Sequence, residues 1–215
     1  MSTIPKSLRD GLVGEWLFAG DAKDTSGNGN DGTVNGASLT TDMLGRADRA
    51  YDFDGTDYIT CDGVTITNSF SYACWFKYTD STIKQRFVRA YPSGFIIDTS
   101  NDVGEGIRAI VYDASSGAVS LNVDSSDLYN DGDWHFIVVV SDYGGDGLSI
   151  YIDGVLDGNT ATTYVPDLTS SVIIAGDGDG TDGLDGQIAL PKIWNRELTA
   201  TEIQQLYIRG IGTGI

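Results

Sequence analysis

The segment that most constrains the fold lies near the carboxyl end of the chain, where an apolar strand, a turn and one short helix follow in order. Residues 186–194 have the pattern of a buried strand, and an Asn-Arg turn comes next. The helix then opens with a capping box. Thr199 can accept a hydrogen bond from the backbone N–H of Glu202, whose carboxylate can accept one from the N–H of Thr199. This pattern predicts a helix over residues 199–207.

Almost all of the remaining sequence has the pattern of short strands and tight turns, and its 28 glycines against four prolines indicate many turns. The run 134–140 is apolar on both faces, which is typical of a central strand covered on each side. An Asp-Gly pair at 153–154 lies between apolar residues and predicts a hairpin. About 12 to 14 such strands predict an all-β fold, a two-sheet antiparallel sandwich with one short C-terminal helix.

The chain of 215 residues suits one sandwich domain, and neither a linker nor an internal repeat divides it. We predict an N-terminal arm over residues 1–10, the sandwich over 11–207 and a C-terminal tail over 208–215. The first strand is expected at residues 13–18. The predicted core is Trp16, Phe18, Phe53, Trp75, Trp134, Phe136 and Ile193.

The net charge of −18 comes mainly from aspartate, since only four of the 31 acidic residues are glutamate. Aspartate favours turns, so the charge lies mainly in loops, where it serves solubility or, alternatively, divalent cations. Nucleic acid and anionic membranes are not expected partners, because phosphate contacts need Lys and Arg and the chain has only 13. No apolar run reaches the roughly 20 residues that span a bilayer.

Two further features bear on the compartment. Residues 1–10 contain no apolar stretch of the kind found in a signal peptide, so we expect none. Cys61 and Cys74 lie in strand-like contexts, and an isolated pair does not define a disulfide framework. We therefore expect two buried free thiols.

Oxygen-bearing side chains occur at every second position of the turn at residues 24–30. Asp24, Ser26, Asn28 and Asn30 alternate with glycines in its second half. Calcium takes six to eight oxygen ligands, and a tight glycine-rich loop can supply both side-chain and carbonyl oxygens. A structural Ca²⁺ held by Asp24, Asn28 and Asn30 is one interpretation. The alternative is an Asx-type turn bonded only to its own backbone.

A second acidic loop, at residues 176–186, carries four aspartates among glycines. We select Asp177, Asp179 and Asp182 as candidate ligand-binding residues, because such loops lie at the end of a sandwich where ligands often bind. The alternative is a solvated loop without a ligand.

The sequence does not favour catalysis. His135 lies between two aromatic residues, and neither a nucleophile elbow nor an acidic orienting partner can be argued for it, so we expect a structural role. Glycosidases need a pair of carboxylates on a cleft, whereas the four glutamates here are isolated. The chain is therefore predicted not to be an enzyme. Tyrosines near strand ends could stack on sugar rings, and they are Tyr91, Tyr112, Tyr129, Tyr143 and Tyr164.

Several motifs in order carry a family resemblance over residues 11–207. They are Gly-Leu-Val-Gly-Glu-Trp from residue 11, the Asp-x-Ser-Gly-Asn-Gly-Asn turn from residue 24, Asp-Gly-Asp-Trp-His-Phe from residue 131, and the closing strand, turn and helix. Together they resemble the LamG-like jelly rolls of the concanavalin A-like lectin/glucanase class. The resemblance implies a jelly-roll sandwich that binds rather than catalyses, often with a structural calcium. One departure weakens the calcium expectation, because Ala189 and Leu190 stand where relatives commonly carry an acidic pair.

Two functions follow as expectations. The first is a virion surface protein, a capsid-decorating or fibre module docked on a viral capsid or tail protein through its terminal arms, with end loops free for a host glycan. A homo-oligomer, preferably a trimer, would suit such docking. The alternative is a carbohydrate-binding or adhesion module of a secreted or cell-surface protein. The apolar residues of the arms are Ile4, Leu8, Ile208, Ile211 and Ile215.

Overall fold

The computed structural model describes residues 6–66, 68–79, 84–91, 94–99, 106–112, 119–143, 147–161 and 169–211. Within them the chain forms two antiparallel sheets and two helices, α1 (Lys6–Arg9) and α2 (Ala200–Gly210). The strands are β1 (Leu12–Glu15), β2 (Gly32–Asn35), β3 (Ser38–Thr40), β4 (Ala50–Asp54), β5 (Tyr58–Thr65), β6 (Phe70–Tyr78), β7 (Arg86–Tyr91), β8 (Phe95–Thr99), β9 (Ile107–Tyr112), β10 (Val119–Asp124), β11 (His135–Asp142), β12 (Gly147–Ile152), β13 (Val155–Thr160), β14 (Thr169–Ile174) and β15 (Asp185–Trp194).

The larger sheet has eight strands, in the order β13-β12-β11-β6-β15-β4-β3, with β1 also beside β15. The smaller sheet has seven, in the order β10-β9-β8-β7-β14-β5-β2. The predicted two-sheet antiparallel jelly-roll sandwich is thus confirmed. No helix among the described residues is long and apolar enough to cross a membrane.

The main core fills the space between the sheets and follows from the alternation of side chains along each strand. On β6, Phe70, Tyr72, Cys74 and Phe76 all face this core. Their burial removes large apolar side chains from water, at about 1.5–3 kcal/mol for each. Cys61 also lies here, and both cysteines are buried and free, as predicted.

A second apolar cluster covers the outer face of the larger sheet, where α2 packs. This explains the apolar run in β11: Ile137 and Val139 face the main core, whereas Phe136 and Val138 face α2. The predicted core was therefore wrong in placing seven residues together. Trp16, Phe18, Phe53 and Ile193 lie between the sheets. Trp75 and Phe136 lie under α2, and Trp134 is only partly buried.

The capping box of α2 is confirmed. Thr199 Oγ1 accepts from the Glu202 N–H at 3.3 Å, and Glu202 Oε2 accepts from the Thr199 N–H at 3.0 Å. The helix continues to Gly210, three residues beyond the predicted end at Tyr207. It does so because its buried face extends to Gly210, which packs on the ring of Trp75.

The start of the chain differs from the prediction of a free arm. Leu8 is fully buried in the outer cluster, and the Trp194 indole N–H donates to its carbonyl at 2.8 Å. Arg196 donates to the carbonyls of Ser7 and Asp10, both at 2.8 Å. Residues 6–10 thus belong to the folded domain, and Leu8 is not available for a partner. Ile208, which lies within α2, and Ile211, directly after it, are exposed, whereas Ile4 and Ile215 lie outside the described residues.

The first strand is also shorter than predicted, since β1 ends at Glu15. Trp16 continues only as an isolated bridge to Asp24, and Phe18 adopts a left-handed backbone conformation with φ of 50°. Trp16 and Phe18 therefore reach the core from a loop rather than from a strand.

Candidate functional site

A polar groove of about 740 Å³ lies on the outer face of the seven-stranded sheet, on the opposite side of the molecule from α2. Strands β2, β5, β14 and β7 form its floor, and the loop 175–184 between β14 and β15 forms a wall. Its lining residues are Thr33, Asn35, Tyr58, Thr60, Asp62, Arg89, Ser171, Ile173, Asp177, Gly178 and Asp179.

The alternation along β5 creates the floor. Ile59 and Cys61 face the main core, so Tyr58, Thr60 and Asp62 face outward into the groove. A strand with one apolar and one polar face is the ordinary pattern for a sheet that is solvated on one side.

The sheet register joins this strand to its neighbours. Thr60 lies opposite Thr33 of β2 and Ile173 of β14. Ile173 in turn lies opposite Arg89 of β7. Residues separated by more than 100 positions in the sequence therefore form one row across the floor of the groove.

Fixed polar groups flank this row. Asn35 lies opposite Tyr58, and its amide donates to the Thr33 carbonyl at 3.1 Å. The Ser171 hydroxyl donates to the Asp62 carboxylate at 2.5 Å. Because these side chains are already held by neighbours, they present donors and acceptors in set positions. Tyr58 is half-buried and lines the groove.

The loop wall is held down by ion pairs and by close packing. Asp177 pairs with Arg86 and, at 2.8 Å, with Arg89. Gly178 has φ of +84°, and a Cβ there would lie 2.8 Å from Ile173 Cδ1. Only glycine combines this backbone conformation with so close an approach to the sheet.

The three predicted ligand-binding aspartates have different positions. Asp177 and Asp179 line the groove, but Asp182 does not. Asp179 accepts from the hydroxyl and N–H of Thr181, and these hydrogen bonds lower its pKa. Asp182 instead pairs with Lys84 at 2.9 Å, and the hydrogen bond from Lys84 lowers the pKa of that carboxyl. Asp182 thus holds the loop to Lys84 rather than facing the groove.

Beneath the loop wall lies a buried network of charges. Asp98 is almost completely buried and pairs with Arg86 at 3.5 Å, Lys84 at 3.6 Å and Arg108 at 3.1 Å. Burial lowers the pKa of Arg86, although the nearby carboxylates oppose that shift. The network fixes the loop 175–184 relative to the sheet, because moving the loop would leave buried charges without their partners.

The groove offers hydroxyl, amide and carboxylate groups beside one aromatic ring, which are the groups that recognise sugar hydroxyls and ring faces. It is less suited to hydrolysis. Glycosidases need one carboxyl that stays protonated as a general acid. Asp177 is tied to two arginines, and hydrogen bonds from Thr181 lower the pKa of Asp179. Asp179 therefore favours the ionised form, and the carboxylate of Asp177 is engaged by two cations.

The turn at Asp24 forms a closed set of hydrogen bonds. Oδ1 accepts from the N–H groups of Glu15 and Ser26, and Oδ2 accepts from the Ser26 hydroxyl and the Asn30 N–H, all within 2.8–3.0 Å. Burial alone would raise the pKa of Asp24, but these hydrogen bonds lower it.

The other two predicted calcium ligands present their amide nitrogens rather than their oxygens. Asn28 and Asn30 donate to the Val13 carbonyl at 3.0 and 2.9 Å. This arrangement does not fit a calcium site, since both carboxylate oxygens of Asp24 and the Val13 carbonyl are occupied by donors. The contacts with Glu15 and Val13 of β1 also differ from an Asx-type turn bonded only to its own backbone, and calcium binding stays a prediction.

His135 does have acidic partners, contrary to expectation. Its Nδ1 lies 2.9 Å from Asp153 and its Nε2 lies 3.3 Å from Asp131. The hydrogen bond with Asp153 raises the pKa of His135, although burial opposes the shift. Both ring nitrogens face carboxylates rather than a hydroxyl or thiol, so the residue links two turns, in agreement with a structural role.

Sequence reasoning missed most of the groove. Tyr58 was not among the selected tyrosines, although the alternation of residues 58–62 marks it as outward-facing. Of the tyrosines selected, Tyr129 bonds to Asp157 and packs on His135, and Tyr143 is exposed away from the groove. Tyr112 is half-buried on β9. The side chains of Tyr91 and Tyr164 lie outside the described residues.

Comparison with known proteins supports this fold. Residues 53–204 match the family model described as the concanavalin A-like lectin/glucanases superfamily. The sequence matches no curated protein at a significant level.

Among solved structures, domain 4 of AbnA, a GH43 extracellular arabinanase from Geobacillus stearothermophilus, in complex with arabinotriose, is similar with a TM-score of 0.70. It is 20% identical, and the match covers 91% of this chain and 98% of that domain. The binding domain of botulinum neurotoxin DC in complex with SialylT has a TM-score of 0.74 at 14% identity, over 97% of this chain and 53% of that one.

The binding domain of Paraclostridial Mosquitocidal Protein 1 has a TM-score of 0.71 at 17% identity, over 93% of this chain and 52% of that one. This chain thus spans about half the length of the toxin binding domains that it matches. At these identities the likeness concerns the fold.

Proposed function

The chain belongs to the concanavalin A-like lectin/glucanases superfamily, and on that premise we propose that it is a non-catalytic module that binds a neutral oligosaccharide in the polar groove. The observation that carries the proposal is the half-buried Tyr58 in the groove beside side chains fixed by their neighbours. An aromatic ring offers an apolar face to a sugar ring, while preset polar groups fix its hydroxyls.

The charge of the groove favours a neutral sugar. Asp62, Asp177 and Asp179 line it, and Arg89 is the one cation among the lining residues that the structure describes. Arg89 is already paired with Asp177 at 2.8 Å. A sugar carboxylate would therefore meet more negative than positive charge, whereas the hydroxyls of a neutral sugar can donate to these carboxylates.

The similar structures support binding as the general role. The arabinanase domain, which this chain matches over nearly its whole length, is described with arabinotriose, a neutral oligosaccharide. The neurotoxin domains are described with SialylT and N-acetylneuraminic acid. Because these similar structures come from toxins and an extracellular enzyme, we infer an extracellular or surface location for this protein. From the same structures we infer a binding rather than a catalytic role.

The proposal is tested by calorimetric titration with a panel of neutral oligosaccharides, arabinotriose included, and with sialyllactose as the acidic counterpart. We expect binding of at least one neutral member and none of sialyllactose. Tyr58→Ala should weaken the affinity at least about tenfold, because a stacked aromatic anchor is worth about 1.4 kcal/mol or more.

Tyr143→Ala is the matched control, since Tyr143 is an exposed tyrosine that does not line the groove. It should leave the affinity unchanged. Equal losses in both variants, or preference for sialyllactose, would contradict the proposal. Release of reducing ends from the bound oligosaccharide would contradict the non-catalytic part.

Display on a virion is the narrower form of this proposal. A sugar-binding face on one sheet and exposed Ile208 and Ile211 on the other side would suit a decoration or fibre module docked on a capsid or tail protein. That setting, and a trimeric assembly, stay predictions. They are tested by removing residues 208–215 and measuring incorporation into the parent particle.

A further inference from the structure

A second cavity lies on the opposite side of the molecule, in the outer face of the larger sheet beside α2. Its volume is about 460 Å³, within the range of about 300–1,000 Å³ that small-molecule sites occupy. It shares no lining residue with the polar groove.

A break in the sheet creates this cavity. The first part of β15 pairs with β4, up to Ile188, and its last part pairs with β1, from Lys192. Between them the register shifts, and Leu190 adopts a left-handed conformation with φ of 53°. Such a backbone is costly for a leucine, and bulges of this kind re-aim side chains. Here Leu190 lines the cavity in the gap between β4 and β1.

The cavity has an apolar floor. Trp75 and Phe136 form a tilted pair there with ring centroids 5.3 Å apart, and Leu206 of α2 closes one side. Gly210 lies against the Trp75 ring so closely that a Cβ would overlap it. The floor is thus a packed set of rings and aliphatic groups, suited to an apolar body rather than to water.

The lining, by contrast, is basic in a strongly acidic protein. Arg46, Arg49, Lys192 and Arg209 line the cavity, four of the 13 cationic residues in a chain of net charge −18, and Glu15 is the one acidic residue among the described lining residues. Arg46 pairs with Asp42, and Lys192 lies 3.7 Å from Glu15. Within the described residues, Arg49 and Arg209 form no ion pair with a carboxylate.

From this combination we propose that the cavity binds an amphipathic organic anion, a carboxylate that carries an alkyl chain. The chain would lie on Trp75, Phe136 and Leu206, and the carboxylate would pair with Arg49 and Arg209. Two arginines without a carboxylate partner beside an apolar floor are complementary to such a ligand in both shape and charge.

The probe is sodium decanoate, kept below its micelle concentration, with binding followed by calorimetry and by the indole N–H signal of Trp75 in ¹H–¹⁵N spectra. We expect one site and a shifted Trp75 signal. Decyltrimethylammonium, which has the same chain and a cationic head, should bind at least tenfold more weakly. Acetate, which has the head without the chain, should not move the Trp75 signal.

Three variants locate the site. Arg49→Gln with Arg209→Gln should weaken decanoate at least tenfold, whereas Arg9→Gln, an exposed arginine outside the cavity, should not. Ala19→Trp, at an exposed lining position, should block binding without altering the core. Equal affinity for both detergent heads, no effect of either cavity change, or no binding at all would overturn the proposal. Titrations of the Tyr58→Ala variant keep this test separate from the glycan site.

Discussion

The two outer faces of the sandwich differ in whether their lysine and arginine side chains are paired with carboxylates. Under the groove wall, Lys84, Arg86 and Arg108 all surround the carboxylate of Asp98. Around the apolar cavity, Arg49 and Arg209 have no carboxylate partner among the described residues. In the first arrangement the positive charges are neutralised within the protein and hold the groove wall in place. In the second, the positive charges are available to a ligand. The number of cationic side chains therefore does not by itself identify an anion-binding site. What identifies one is the absence of carboxylate partners for those side chains.

The largest effect should come from breaking the paired network. Asp98→Ala removes the shared partner of three cations, one of them almost fully buried, and should lower the free energy of unfolding by about 3–5 kcal/mol. Arg49→Ala, on the unpaired lining, should change it by less than about 0.5 kcal/mol. Urea unfolding measures both. Similar costs for the two variants would break the comparison.

The next effect concerns the floor of the apolar cavity. Gly210→Ala would place a methyl group into the Trp75 ring, and overpacking of this kind costs about 1–3 kcal/mol. The gain in helix propensity, about 0.8–1 kcal/mol, offsets only part of it. Thermal unfolding and the Trp75 indole signal report the change. Gly45→Ala separates the two possible costs of a methyl group, since Gly45 has φ of +74° and no neighbour near its Cβ, whereas Gly210 is helical and meets the ring. If Gly210→Ala were more stable than the native protein, the Trp75 ring would have to move aside for the added methyl group, which would contradict the prediction.

A smaller effect should follow pH, because the imidazole of His135 forms ion pairs with Asp131 and Asp153 only when it is protonated. The pKa of His135 is raised above its usual 6.5, chiefly by the hydrogen bond with Asp153. Its stabilising contribution is therefore complete below about pH 6.5 and is lost as pH rises through the raised value. The stability difference between the native protein and His135→Gln should shrink from pH 5.5 to pH 9. A difference that is constant with pH would mean that the imidazole does not gain charge-dependent contacts on folding.

The smallest effect is expected from a chelator. The carboxylate of Asp24 already accepts four hydrogen bonds, so EDTA should leave the melting temperature unchanged. A fall in melting temperature that Asp24→Ala abolishes would instead establish the structural calcium. Such a fall would also require the amides of Asn28 and Asn30 to turn their oxygens toward the ion.

Much of the fold could be predicted because its signals are local. The capping box at Thr199, the two-faced apolar run of β11 and the Asp-Gly hairpin after Ile152 each depend on a few adjacent residues. The division of Trp75 and Trp16 between two clusters could not be predicted, since it depends on which face of the sheet α2 covers.

Of the groove, only the residues of the loop that forms its wall could be predicted from the sequence. Glycines and aspartates mark residues 176–186 in the sequence, and Asp177 and Asp179 do line the groove. The floor depends on register between strands that are far apart in the chain, such as Thr60 against Ile173. The apolar cavity depends on the bulge at Leu190, which an apolar run does not reveal.

The ties of Arg196 and Trp194 to residues 7–10 have a consequence for how the domain can be built into larger assemblies. They bring the first described helix against the segment that leads into the last one, and both helices lie on the larger sheet. The described part of the chain therefore starts, at Lys6, and finishes, at Ile211, on the side of the molecule away from the groove. A host protein joined near these residues would leave the groove, the surface proposed to bind an oligosaccharide, facing away from the point of attachment.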